Sequence, residues 1–252
     1  MPSRFEYGPQ YRISFGGPLT PAVRILLIVN VAVYLAELFV VRLGGPEAWK
    51  ATLDLFALNP VRVFTEFFVW QLVTYMFLHA PGSIFHILFN MLILYMLGCE
   101  IERFWGPKRF LRYYFLCGVG AGIANCAFAM LQSQTVGASG AIFGLIVAYA
   151  MLFPTRTFLF WGIFPLTARQ LALLLTAIEL VSLGALSPDG VARFAHLGGA
   201  LTGYLILKGM WDPRRLLSDL RWRIRRRRFK TVGRGGSRSS DASDNDRFYP
   251  YH

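Results

Sequence analysis

The stretch Gly137-Ala138-Ser139-Gly140-Ala141-Ile142-Phe143-Gly144, running on apolar to Phe153, decides how this chain is read. A hydroxyl set among three glycines opens an apolar run, and most of the chain has the same apolar character. The 252 residues are 55% hydrophobic and only 16% charged, with a mean hydropathy of +0.44. Soluble domains carry about a quarter charged residues. The composition therefore argues against a soluble enzyme and points to an all-α, polytopic membrane protein, in which a serine hydroxyl needs a reason to be present.

A helix needs roughly 20 mostly apolar residues to span the hydrocarbon layer. Six segments are candidates: 23–41, 84–100, 110–131, 139–153, 166–183 and 191–210. The fourth is short, which suits a helix whose ends lie in protein or in a water-filled cavity. Residues 42–83 form a long connection containing Trp49, Phe56, Phe64, Phe67, Phe68, Trp70, Tyr75 and Phe77. It is too apolar for a solvated loop and too broken for a span. It reads as short amphipathic pieces at the membrane interface, where Trp and Tyr favour the headgroup level. The expected organisation is a cytoplasmic N-terminal segment at 1–22, a six-span core at 23–210, and a basic, largely disordered cytoplasmic tail at 211–252.

Much of the net charge of +12 lies in Arg221-Trp222-Arg223-Ile224-Arg225-Arg226-Arg227-Arg228-Phe229-Lys230. A juxtamembrane cluster of this kind is attracted to anionic headgroups. Nothing else in the chain supports nucleic-acid binding. Arg4, Arg12 and Arg24 lie in the N-terminal flank, Arg103, Lys108, Arg109 and Arg112 between the second and third segments, Arg156 and Arg169 between the fourth and fifth, and Lys208, Arg214 and Arg215 in the C-terminal flank. By contrast 132–138 has none, the fifth-to-sixth connection only Arg193, and the long first connection Arg42, Lys50 and Arg62. The positive-inside rule then puts both termini in the cytoplasm of a cell (plasma or inner) membrane. Cys99, Cys117 and Cys126 are scattered in apolar segments and read as small hydrophobes, not a disulfide framework or metal site. No cleavable signal peptide is visible, because the first apolar run is too long for one.

With this orientation, segments two, four and six all enter from the outer face. His86 and Asn90 then sit early in the second, Ser139 at the start of the fourth, and His196 early in the sixth, all at similar depth. Gly140 and Gly144 are spaced i, i+4, as are Gly199 and Gly203, and small-xxx-small faces let membrane helices approach closely. If those faces meet, Ser139 and His196 come within reach. A serine hydroxyl is a weak nucleophile until a base takes its proton, and a neutral imidazole suits that role near pH 7. Ser139 opens a helix, where backbone N–H groups lack partners and the dipole favours negative charge. His86 and Asn90 share one face and both donate hydrogen bonds, which fits an oxyanion clamp. No third ligand suggests a metal, and no cofactor is expected. No acidic residue has a defined path to His196. Asp189 is too loosely connected, and Glu179 is expected to face either the cavity or the outer interface. The expectation is a Ser139–His196 dyad, with the imidazole oriented by stacking on Phe143.

These motifs resemble the rhomboid family of intramembrane serine proteases. The likeness rests on Gly137-Ala138-Ser139-Gly140, on His86-Ile87-Leu88-Phe89-Asn90, and on Ala195-His196 followed by Gly199 and Gly203. The aromatic first connection with Trp70 and the segment Gly98-Cys99-Glu100-Ile101-Glu102-Arg103 also look like the family's, so the likeness covers about 23–210. It implies a Ser139–His196 dyad, an oxyanion hole from His86, Asn90 and the Ser139 N–H, Phe143 beneath the histidine, and a structural hydrogen-bonding role for Glu102. It also implies hydrolysis of a peptide bond in or near the transmembrane segment of membrane-protein substrates, with small residues at the cleaved position. Two departures stand out: a Trp-Arg pair of the family reads Trp70-Gln71, and 80–83 lengthens the turn between His79 and His86. Water must reach Ser139 from the outer side, and a substrate would enter laterally past the fifth segment. An inactive relative that only binds membrane proteins would typically lack the serine or histidine. A transporter would show repeats or broken helix pairs, and none is evident.

Overall fold

A computed structural model describes residues 17–128, 134–160, 164–183 and 190–209. The arginine cluster, the rest of the tail, the N-terminal 16 residues, Asp189 and the end of the third apolar segment at 129–131 lie outside the described residues. Helix α1 (Pro21–Phe56) begins with Pro at its first turn, where a missing N–H costs nothing. Gly45, at φ +67°, kinks it immediately before Pro46. Short helices α2 (Pro60–Thr65) and α3 (Gln71–Thr74) come next, then a 3₁₀ turn at Tyr75–Phe77. Helix α4 (Ile84–Ile93) runs through a π turn at Leu94–Gly98 into α5 (Cys99–Trp105). Then come α6 (Pro107–Phe128), α7 (Ser139–Leu152), α8 (Ala168–Ser182) and α9 (Gly190–Leu207).

The polarity is that of a membrane protein. On α1, Ile25, Ile28, Leu35 and Phe39 point outward, each more than half exposed, while Asn30 and Glu37 are buried. That inversion is stable only against lipid, since soluble proteins seldom bury an acid and leave such a face bare. The helices Pro21–Phe56 and Ile84–Trp105 are long and apolar enough to cross a membrane, and Ser139–Leu152 is a shorter apolar helix.

Three expectations change. Residues 46–56 of the first connection form a second helix, joined to the first across the non-helical Gly45, in place of several short pieces. The rest of that connection is not merely laid on a surface. Leu58 and Thr135 pair through two backbone hydrogen bonds of 3.0 Å, and Gln71, fully buried, accepts from the Asn59 N–H and donates to the Asp54 carbonyl. The fifth apolar segment does not start as helix at Leu166. That residue lies in a two-stranded antiparallel hairpin, β1 (Thr157–Phe160) and β2 (Phe164–Thr167), so the fold is helical but not purely so. The Thr167 side chain accepts from Gln170 N and the Gln170 side chain from Thr167 N, a capping box that starts α8 two residues later.

At the centre, α9 packs against α6 and α7. A Cβ on Gly199 would collide with the Gly140 carbonyl oxygen, and one on Gly203 would lie 3.1 Å from Gly144 Cα. On the α6 side, Gly198 meets Ala124 and Gly120 meets Thr202, again with no room for a side chain. Tyr113 Oη donates to the Gly144 carbonyl at 2.8 Å, so α6 also holds α7 from behind. Glycines here bring backbones together by dispersion contact.

Candidate active site

Ser139 is the first residue of α7, and the chain that delivers it is held on both sides. Upstream, Thr135 is tied to Leu58 by the bridge and to Asn125, whose Nδ2 donates to Thr135 Oγ1 at 3.1 Å. Gly137 then adopts φ +121°, a conformation L side chains avoid, and its N–H donates to the Tyr75 carbonyl at 2.8 Å. This turn aims Ser139 away from the loop and leaves the first N–H groups of α7 without helical partners.

The close approach of α7 and α9 does the rest. Ser139 Oγ lies 2.7 Å from His196 Nε2. Phe143, one turn along α7, stacks on the imidazole with ring centroids 4.5 Å apart and planes 13° from parallel. The two helices thus present a nucleophile-type hydroxyl, a base and a flat apolar support for the base, all from one seam of small residues.

His86 reaches the same place from α4. A Cβ on Gly137 would lie 2.9 Å from His86 Nε2 and 3.8 Å from Ser139 Oγ, so the His86 ring borders the serine across the glycine. Asn90 is buried and turns one amide proton back to the His86 carbonyl at 2.8 Å. The two residues share a face, as their spacing predicts, and Asn90 keeps its second proton. His79 is fully buried behind this pair, its ring 5.2 Å from that of His86 in an edge-to-face arrangement. Its backbone N–H donates to the Glu37 carboxylate at 3.0 Å. Burial, reinforced by neighbouring His86, pushes the His79 imidazole down to about 4, so it is neutral near pH 7. Glu102 accepts from Thr20 Oγ1 and from the Ala22 and Val23 N–H groups at 2.9 Å, capping the first turn of α1.

One neighbour of the histidine was not expected from the sequence. Glu179 Oε1 on α8 lies 2.9 Å from His196 Nδ1, with both side chains largely shielded from solvent. The signal was present, because Glu179 is the one acid in the 166–183 segment and intramembrane acids are seldom idle. What the sequence lacked was the rotation of α8 that turns it toward α9. No group of three or more His, Cys, Asp or Glu residues suited to a metal occurs among the described residues.

Fold and site together define a multi-pass helical membrane protein with a serine–histidine pair at its central seam. A sequence model of the rhomboid domain matches residues 66–212. The chain is 32% identical to RHOMBOID-like protein 2 of Arabidopsis thaliana over 217 residues, 75% of this chain and 65% of that protein. It is 28% identical to Rhomboid protease GluP of Bacillus subtilis over 187 residues, 73% of this chain and 34% of GluP. It is also 28% identical to Rhomboid protease AarA of Providencia stuartii over 199 residues, 72% of this chain and 69% of AarA. The matched stretch thus spans between a third and about two thirds of these relatives. The chain belongs to the rhomboid family.

Proposed function

We propose that this chain is an intramembrane serine endopeptidase that hydrolyses a peptide bond in or near the transmembrane segment of membrane-protein substrates. The observation that carries the reading is the 2.7 Å approach of Ser139 Oγ to His196 Nε2 at the start of a helix. His196 Nε2 takes the hydroxyl proton as Oγ attacks the substrate carbonyl. Negative charge gathers on the carbonyl oxygen, beside the Ser139 N–H, with His86 and the free proton of Asn90 as further donors. Collapse breaks the C–N bond, and His196 returns the proton to the leaving amine. Water, deprotonated by the same imidazole, then hydrolyses the acyl-enzyme and restores Ser139. The names of two relatives, both rhomboid proteases, support this reading.

In this proposal the core crosses the membrane six times with both termini cytoplasmic, and the site opens to the outer face of the cell membrane. Substrates approach laterally past α8. The basic tail rests on anionic headgroups of the lipid bilayer. The chemistry requires neither cofactor nor metal.

Labelling of the full-length protein in detergent by a fluorophosphonate probe tests the reading. Wild type should label, and Ser139→Ala and His196→Ala should not. An unlabelled wild type, or an equally labelled Ser139→Ala, overturns it.

A further inference from the structure

The Nδ1 edge of His196 faces an acid that the two-residue mechanism leaves unused. Glu179 comes from α8, a different helix from either His196 or Ser139, and its Oε1 lies 2.9 Å from Nδ1. The opposite ring nitrogen, Nε2, lies 2.7 Å from Ser139 Oγ. Both partners therefore use the imidazole edges, while Phe143 covers a face at 4.5 Å. In-plane rotation is restrained by two hydrogen bonds and tilting by the stack.

The arrangement also dictates the tautomer. If Nε2 is to accept the serine proton, Nδ1 must carry the ring proton, and a carboxylate is the group that accepts it. When Nε2 gains a proton the ring becomes a cation. A carboxylate shielded from solvent at hydrogen-bond distance offsets that charge more strongly than a water-exposed one would. The Glu179 and His196 side chains are 16% and 17% exposed, so the pair is neither sealed nor open.

A purely structural reading would make Glu179 a tie between α8 and α9. Its placement argues for more. Within α8 only Ala168 and Ala172 are buried, and Leu173, Ile178, Leu180 and Val181 are exposed. The helix places its acid on the one ring nitrogen whose protonation sets the activity of the other.

We propose that Glu179 is a positioning residue for His196, so that Ser139, His196 and Glu179 act as a three-member relay. This rests on the serine-protease reading above, which needs only the first two. Glu179 accepts the Nδ1 proton in a hydrogen bond, fixes the reactive tautomer and counters the imidazolium formed during attack. It does not itself become protonated.

The test uses full-length wild type, Glu179→Asp, Glu179→Gln and Ser139→Ala in detergent, each titrated with a fluorophosphonate probe to separate the maximal inactivation rate from the half-saturating concentration. Loss of a carboxylate that only positions a histidine lowers the chemical rate and leaves binding alone. Glu179→Gln should lose on the order of 10- to 10³-fold in maximal rate with the half-saturating concentration within about twofold. Glu179→Asp should recover part of the loss. Proton NMR of the ¹⁵N-histidine-labelled wild type should show a strongly downfield Nδ1–H resonance that disappears in His196→Ala. That measurement stands even if a Glu179 variant fails to fold. A Glu179→Gln protein with the wild-type maximal rate, or a wild type without that resonance, overturns the role of Glu179 while Ser139-dependent labelling keeps the protease reading intact. A wild type that does not label overturns both.

Discussion

At the scale of single residues, the site depends on atoms that are missing. Gly137 holds φ +121° and lies where any Cβ would press on His86 Nε2 at 2.9 Å. Gly137→Ala should therefore strain the turn and displace His86, and a shift of about 1 Å near reacting groups can cost on the order of 10²-fold in rate. The fluorophosphonate labelling rate should fall by at least tenfold, more than a modest loss of thermal stability would explain. Gly199 is bound by a different constraint, because a Cβ there meets the Gly140 carbonyl oxygen. Gly199→Ala should cost about 1–3 kcal/mol as α7 and α9 are forced apart, read as a lower Tm in detergent, and labelling should fall with it. Much of this was legible in the sequence. Ser139, His196 and the two glycine pairs stand out because a polar or small residue in an apolar run is rarely placed at random, and Phe143 follows from its place one turn after Ser139. Glu179 is the one acid of its segment but had no assigned partner, because that depends on how α8 is rotated, and no pattern within one helix encodes that angle.

At the scale of elements, helices are fixed by where their ends find partners. The N-terminus of α1 is capped from a distance of about eighty positions by Glu102, whose two oxygens collect the Ala22 and Val23 N–H groups and the Thr20 hydroxyl. Glu102→Ala strips the acceptor from buried donors and should cost about 1–3 kcal/mol, seen as a lower Tm with the probe's half-saturating concentration unchanged. The start of α8 was displaced from the expected position because Thr167 and Gln170 form a local capping box, and the residues before it pair as a hairpin. Apolarity alone does not distinguish a strand of four residues from the first turn of a helix. In the first connection Gly45, at φ +67°, leaves the helical path just before Pro46, and a second helix starts there that aromatic content alone does not reveal.

At the scale of the whole molecule, an acid and a histidine are sealed beneath the site. His79, in the connection before α4, has its imidazole pushed down to about 4 by burial and by His86, against about 6.5 for a histidine in the unfolded chain. Between those values the unfolded chain binds more protons than the folded one. Stability from this residue is thus complete above about pH 6.5 and is lost as the pH falls toward 4, at up to about 1.4 kcal/mol per pH unit. Thermal melts from pH 7 to 4 should show a steeper decline for wild type than for His79→Gln, and parallel declines would contradict the assignment. The π turn at Leu94–Gly98 links these regions along one continuous rod. On one side of it lie His86 and Asn90, the donors assigned to the carbonyl oxygen in the proposed reaction. On the other, Glu102 anchors α1 and Glu100 accepts a 2.8 Å bond from Tyr149 on α7. A wide turn holds one residue more than an α turn, so it offsets the angular phase of the two halves by about 100°. Trimming a single residue from it would leave every side chain of the His86 half chemically intact and swing that half out of alignment with its anchor.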